Sequence, residues 1–427
     1  MWQYGTTQRA RLATARGAAS TLWRTTAVVW STHRTVRVVV TGLVLLLLLS
    51  GVIMLYSTSF AACSEYYLKR QAMWVSLGGV LATFLAYLDY RRLGRISPVL
   101  MGLVAAALAY LAFAHLLYKV SFTRGLVAYL PLVGGPTKGG FRWLHLGPCS
   151  LQPSEFAKPV MVLFLADYYQ RAARHTEELR RGFLFPLLCC GALIGLIFLG
   201  KNLSTTVIAG TIMVIMMFVA GVRLRYLLAL AAIGVVFFAL AVTFSAEHRR
   251  RMTTYRDPEP IQQGEGYQLW HSQLALGSGG WVGVGFTQSR MKQYYLPEAH
   301  TDFIVAIVGE ELGFVAVAAL IGLYCLLGGS IFAMAALVQS KGAILMCVGI
   351  GWTLAFQAFV NIGVVSGFGP TTGVTAPFLS YGGSSMLSSM AAVGLLLSVS
   401  RISEQEALEH ELQEDRYARS VAQPRAS

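Results

Sequence analysis

Tyr295-Leu296-Pro297-Glu298-Ala299-His300-Thr301-Asp302-Phe303 marks the point where the chain passes from a polar segment into oil. Upstream, residues 245–302 make a connection long for two helices. Downstream, residues 303–328 are almost wholly apolar, interrupted by Glu310 and Glu311. Such a run spans a bilayer, because a helix needs about 20 apolar residues to cross the hydrocarbon. Ionisable groups inside a span are costly in lipid and face a cavity or a partner instead. Asp302, with Glu298 and His300 beside it, therefore stands at the lip of a membrane helix. Two readings are open there: a proton-transfer group at the water boundary, or an N-cap, a role Asp often takes.

The rest of the chain agrees with a membrane setting. Its 427 residues are 55% hydrophobic and 13% charged, too apolar for a water-soluble globule. Spans are predicted over residues 38–56, 73–88, 96–117, 152–168, 183–200, 205–220, 226–244, 303–328, 344–365 and 386–399. The expected fold is thus an all-α integral membrane protein, a bundle of about ten transmembrane helices with a long extracytoplasmic loop between the seventh and eighth. The net charge of +14 would suggest nucleic acid in a soluble protein. Here the excess sits largely in short loops, as the positive-inside rule requires, and no nucleic-acid partner is expected. Both termini are placed in the cytoplasm.

Three regions are expected: a basic arm 1–37, a membrane domain 38–400 with the outer loop 245–302, and a polar tail 401–427. The arm carries Arg9, Arg11, Arg16, Arg24, Arg34 and Arg37, with no acid before Glu65, and could touch anionic membrane lipids. No small-residue cleavage site follows the first apolar run, which reads as a retained anchor. The tail, with Glu404, Glu406, Glu409, Glu411, Glu414 and Asp415, reads as a surface helix or an unstructured segment with solvated acids. None of the six cysteines has metal-ligand spacing. Cys63 and Cys149 fall in predicted outer loops, where an oxidising compartment would allow a disulfide.

The unusual polar residues concentrate in the outer connections. Glu155 and Lys158 are three apart at the start of the fourth span and can share a helix face, as an ion pair of structure or of function. The outer loop holds Arg249, Arg250, Arg251, Arg256, Arg290 and Lys292. Planar guanidinium forks suit phosphate, and anionic headgroups would attract them equally. Gly277-Ser278-Gly279-Gly280-Trp281-Val282-Gly283-Val284-Gly285 lacks the context and the Lys-Ser/Thr ending of a phosphate loop; it reads as a re-entrant or surface turn packed closely through its glycines. Ser380-Tyr381-Gly382-Gly383-Ser384-Ser385 could cap the next helix or bind a sugar or phosphate.

Jointly these segments resemble the SEDS family (shape, elongation, division and sporulation), the FtsW/RodA proteins. The resemblance rests on Arg142-Trp143 with Leu146-Gly147, Gln152-Pro153-Ser154-Glu155-Phe156-Ala157-Lys158, Gly266-Tyr267-Gln268, the Tyr295 to Phe303 stretch, Gly309-Glu310-Glu311-Leu312-Gly313, Asn361-Ile362-Gly363, and Pro377-Phe378 with Ser380 to Ser385. Tyr-Leu-Pro-Glu-Ala-His-Thr-Asp looks more like the division member than the elongation member. Two departures stand out. Where the family shows Pro-Asp-x-Gly-Thr after the fifth span, Lys201-Asn202-Leu203-Ser204-Thr205 occurs, and Thr372 replaces the Lys frequent in division members.

The resemblance implies a peptidoglycan glycosyltransferase that polymerises lipid II outside the cytoplasmic (inner) membrane, at the division septum. It implies Asp302 as the base and Lys158, Arg142 and Arg290 as cations for a departing pyrophosphate. Glu155 would orient Lys158, while Glu298, His300, Ser380 and Ser384 would contribute to substrate binding. A divalent cation, magnesium or manganese, would assist, with no organic cofactor. The expected partners are lipid II, a class B penicillin-binding protein with transpeptidase activity, other divisome proteins and membrane lipids. Three other roles remain: an elongation-type polymerase, a lipid II flippase using Glu310, Glu311 and Lys158 as a polar path, and a scaffold recruiting through the termini.

Overall fold

Backbone polar groups cannot stay unpaired in hydrocarbon, so the apolar runs close their hydrogen bonds within themselves as helices. The computed structural model describes residues 32–59, 65–120, 124–135, 140–147, 149–244, 265–293 and 295–422, with positions 122 and 249. The helices are α1 Thr32–Ser59, α2 Tyr66–Tyr87, α3 Tyr90–Lys119, α4 Pro153–Arg171, α5 Leu179–Leu199, α6 Leu203–Val219, α7 Leu224–Phe244, α8 Glu265–Gly279, α9 Ile304–Leu337, α10 Lys341–Val365 and α11 Gly383–Ala422. Every predicted span coincides with one of them. Among these, α1, α3, α5, α7, α9, α10 and α11 are long and apolar enough to cross a membrane. α4 is more polar and lies centrally, packed by α3, α6, α10 and α11.

The structure adds to or departs from the sequence reading in three places. The loop 245–302 is not wholly a loop, because α8 lies within it. Leu269, Ser272, Ala275 and Gly279 recur every three or four residues and form a buried stripe against α9 and α10, which no apolar run announced. The connection after α3 contains a small antiparallel hairpin, Leu144–Leu146 with Cys149–Leu151. Residue 401 is not a boundary: α11 runs unbroken to Ala422. Its acids are not all solvated. Glu404 pairs with Arg37 at 2.9 Å, and Glu406 pairs with Arg91, so the helix is tied to α1 and α3 as it leaves the bundle. The arm's residues 1–31, Cys63 and most of the arginine cluster 249–256 lie outside the described residues, as therefore does the Cys63–Cys149 pairing.

The Gly277 to Gly285 turn packs closely, as expected. A Cβ on Gly283 would stand 2.1 Å from the Glu311 carbonyl oxygen, so only glycine fits. α9 breaks its helical geometry at Gly313, where φ is 77°, and the turn fills the break. Val284 and Gly285 donate to the carbonyls of Glu310 and Glu311, and Phe314 and Val315 donate to those of Gly280 and Trp281. The two carboxylates clamp the following residues. Glu311 accepts from Ser57 Oγ of α1 at 2.7 Å and pairs with Lys292 Nζ at 2.6 Å. Glu310 accepts from Ser289 Oγ and from the Arg290 backbone N–H at 2.9 Å. The acids of this span are thus committed to holding residues 283–292 on α9.

Lys292 and Glu311 side chains are 2% and 0% exposed, so removing one partner strands the other. Lys292→Met should cost roughly 3–5 kcal/mol, read as a lowered thermal unfolding midpoint in detergent. Adding Glu311→Gln should recover part of the loss. A single variant melting like the parent would show that the pair does not fasten this turn.

Candidate functional site at one end of the bundle

Pro153 opens α4 at its first position, where the missing N–H costs nothing. That start sets Glu155 and Lys158 on one face. Lys158 Nζ lies 2.9 Å from Glu155 Oε2 and 2.6 Å from Gln357 Oε1. The lysine is 2% exposed, so these contacts replace water. Ser388 of α11 donates to the Glu155 carbonyl at 2.7 Å and fixes the α4 start against its neighbour.

Gln357 and Asn361 stand one turn apart on α10 and face the same way. Gln357 Nε2 donates to the Thr375 carbonyl at 3.0 Å. Asn361 Nδ2 donates to the Val374 carbonyl at 2.6 Å and to the Asp302 carbonyl at 2.8 Å. Two amides on one helix face therefore hold together the Lys158–Glu155 pair, the turn before α9, and the 366–382 loop. Asp302 is half-buried in that turn. The N-cap position of α9 falls on Phe303, whose side chain makes no cap, and not on Asp302. Gly373 of the loop has φ +68°, and a Cβ there would lie 3.3 Å from Asp302 Oδ2. Glycine leaves room beside that carboxylate oxygen.

The other predicted residues divide into two groups. Ser380 and Ser384 are buried, and their hydroxyls shape backbone: Ser380 Oγ accepts from Ala376 N at 2.8 Å and Ser384 Oγ from Gln152 N at 2.9 Å. Ser384 thereby ties α11 to the α4 start. Arg142 donates to the Lys201 carbonyl, in a turn whose Ser204 donates to the Thr372 carbonyl at 2.7 Å. Glu298, at φ 60°, accepts from Thr301 Oγ1 at 2.8 Å and shapes the turn that presents Asp302. His300 packs on Tyr67, ring centroids 4.3 Å apart, and on Tyr381 at 5.8 Å. Burial holds its imidazole below the usual range, against the opposite pull of Glu298. Arg290 stands apart from this network: its backbone serves Glu310 and its side chain is exposed. Among the described residues no group of three His, Cys, Asp or Glu side chains could hold a metal ion.

Sequence reasoning passed over Gln357 and gave Asn361 only as part of a matching segment. Their signal was present: two amides at i and i+4 within an apolar span, where a polar side chain needs a reason. The arrangement offers a half-buried carboxylate whose backbone is tied to α10 by Asn361, one turn from the Gln357 that holds a buried ammonium.

Comparisons with known proteins bear on this geometry. The family model FTSW_RODA_SPOVE, described as cell cycle protein, matches residues 37–405. The probable peptidoglycan glycosyltransferase FtsW of Trichlorobacter lovleyi is 34% identical over 356 residues, covering 82% of this chain and 89% of that one. Stage V sporulation protein E of Bacillus subtilis is 36% identical over 368 residues, covering 84% and 95%. Among solved structures, a chain from a study of how a peptidoglycan synthase complex coordinates polymerization and crosslinking aligns with a TM-score of 0.69 and 29% identity, covering 85% of this chain and 97% of that one. The rod shape determining protein RodA of Thermus thermophilus aligns with a TM-score of 0.61 and 30% identity, covering 85% and 96%.

Gln357→Leu should destabilise the bundle by roughly 1–3 kcal/mol, because Lys158 keeps its burial and loses an acceptor; a detergent unfolding curve reads it. His300 generates a pH test. Its native pKa is depressed, so the unfolded chain takes up the proton first as pH falls below about 6.5. Its stability is complete above that value and is lost progressively below it. His300→Phe keeps the ring packing, so its melting midpoint should fall less than the parent's between about pH 7 and about pH 5. Equal falls would clear His300 of the acid sensitivity.

Proposed function

The chain belongs to the FtsW, RodA and SpoVE family of cell cycle proteins, and from that premise we propose that it polymerises lipid II into glycan strands for septal cell-wall synthesis. The carrying observation is the α10 ladder, which fixes a half-buried Asp302 in one network with the Lys158–Glu155 pair. Relatives across more than four-fifths of the chain are named peptidoglycan glycosyltransferase, and the synthase complex supports the same chemistry.

In the proposed reaction, a sugar 4-hydroxyl attacks the anomeric carbon of a second lipid-linked disaccharide. The new C–O bond forms as the bond to undecaprenyl pyrophosphate breaks, and Asp302 takes the hydroxyl proton. Positioned base catalysis of this kind is worth about 10²–10⁴-fold. Lys158 and Arg142 are assigned to the negative charge that grows on the leaving pyrophosphate, where preorganised donors act most strongly. Glu155 and Gln357 keep Lys158 in place, and Glu298 shapes the base's turn. Ser380 and Ser384 serve the site by folding its loops. Arg290 could meet a phosphate only at the rim of the clamp around Glu310. The residues described do not form a metal cage, so no step is routed through a divalent cation.

The Asp302 end is assigned to the outer face of the cytoplasmic membrane and both termini to the cytoplasm, in line with the arginine-rich arm. A crosslinking transpeptidase of the class B penicillin-binding type is the proposed partner, supported by the pairing of polymerization with crosslinking in the related complex. Other divisome proteins would meet the projecting end of α11. The flippase alternative loses its path, because Glu310 and Glu311 are spent on the 283–292 clamp.

Purified with its transpeptidase and given lipid II in detergent, the parent should make glycan strands, which a transporter could not do where no second compartment exists. Asp302→Asn should fold normally and lose at least about 10²-fold in rate. Parental turnover by that variant would remove Asp302 as the base.

A further inference from the structure

The end of the bundle opposite Asp302 contains a cavity of about 410 Å³. α4 gives the direction: Lys158 is near its first turn, whereas Asp167 and Arg171, in its last turn, line the cavity. The first turns of α3 bring Arg91 and Arg95, α11 brings Glu406, and Leu163 with Met346 make an apolar floor. Volumes of roughly 300–1,000 Å³ suit small ligands.

The charges do not cancel. Three guanidinium groups face two carboxylates, and each carboxylate already has its partner. Arg171 lies 2.7 Å from Asp167, and Arg91 pairs with Glu406. Arg95 is exposed and has no ion-pair partner among the described residues. The starts of α3 and α10 also border the cavity, and both add partial positive charge there. One uncompensated guanidinium above an apolar floor fits one singly charged phosphodiester with hydrocarbon attached. The planar fork matches phosphate oxygens in pairs. Basic pockets between membrane helices on the cytoplasmic side are built for such headgroups.

We propose that this cavity is a binding site for the headgroup of an anionic phospholipid, on the membrane face opposite the glycosyl-transfer site. The phosphate sits on Arg95, and the acyl chains follow the apolar faces of α3 and α10. A zwitterionic headgroup is a poorer fit: its ammonium would meet Arg95 while both carboxylates are occupied. The Arg91–Glu406 pair ties α11 to the rim, so an occupied cavity braces the helix that carries Ser384 and Ser388 at its far end.

The test is native mass spectrometry of the full-length chain in detergent. Separate arms supply phosphatidylglycerol, phosphatidylethanolamine, and phosphatidylglycerol with inorganic phosphate. One phosphatidylglycerol should be retained at least about tenfold better than phosphatidylethanolamine, and Arg95→Gln should lose that preference. Arg95 is exposed, so its variant should melt like the parent. Arg223→Gln, which removes another exposed cation, should retain the lipid unchanged. The proposal is overturned if Arg95→Gln holds phosphatidylglycerol as the parent does, if both lipids are held equally, or if inorganic phosphate displaces the lipid. Lipid retention is read without lipid II, so this outcome stands apart from the polymerase reading.

Discussion

Two amides on α10, one helical turn apart, decide how the polar end of this bundle is built. In a bilayer, a buried ammonium, a loop carbonyl and the backbone of the Asp302 turn each need a partner that water cannot supply. Gln357 and Asn361 answer all three needs from one face of one helix. Because each amide serves more than one chain segment, the segments cannot shift independently. The backbone of Asp302 is thus held by α10, and the N-cap position of its own helix falls on Phe303. A carboxylate presented this way is preorganised by helix packing, which is what the proposed role as a base requires.

A second constraint works beside the first. α9 must begin at the turn that carries Asp302, yet it breaks at Gly313 and lets another chain segment in. A broken helix frees backbone groups, and those are re-satisfied by the Gly280 to Gly285 turn. Glu310 and Glu311 then fasten the residues that follow, with Lys292 and Ser57 closing the contact to α1. The first turns of α9 are gripped on one side by α10 and on the other by this clamp. Buried acids in a membrane helix suggest a path for ions or substrate. Here their hydrogen bonds show a structural use.

How much of this was legible in the sequence followed from which force shaped each element. The spans were visible because lipid demands long apolar runs. The start of α4 was visible because Pro153 and the Glu155–Lys158 spacing are local signals. α8 was missed because its buried face is a stripe of Leu269, Ser272, Ala275 and Gly279, mostly small residues whose burial depends on α9 arriving from elsewhere in the chain. The tail was misjudged for a related reason: Glu404 and Glu406 look solvated until Arg37 and Arg91 are brought beside them. Arg290 read as a phosphate ligand because it belongs to an arginine-rich outer loop; that its backbone serves the clamp while its side chain stays exposed depends on Glu310 arriving from α9. Gln357 shows the opposite case, a residue without a motif whose importance lies in what it touches.

The turn between α5 and α6 shows how a departure from family pattern can keep structure while changing chemistry. Asn202 stands where the family resemblance expects an acid. Its Oδ1 accepts from Thr205 N at 3.3 Å and caps α6, a task an aspartate performs equally. Its Nδ2 donates to Ser154 Oγ at 3.4 Å, a task an aspartate cannot perform. The exchange therefore keeps the cap, removes a negative charge, and adds a donor toward α4 beside Glu155. Lys201 takes φ 58° and turns its carbonyl to Arg142. With the carboxylate gone, the turn acts here through backbone and amide, and the charged groups nearest it on the start of α4 are Glu155 and Lys158.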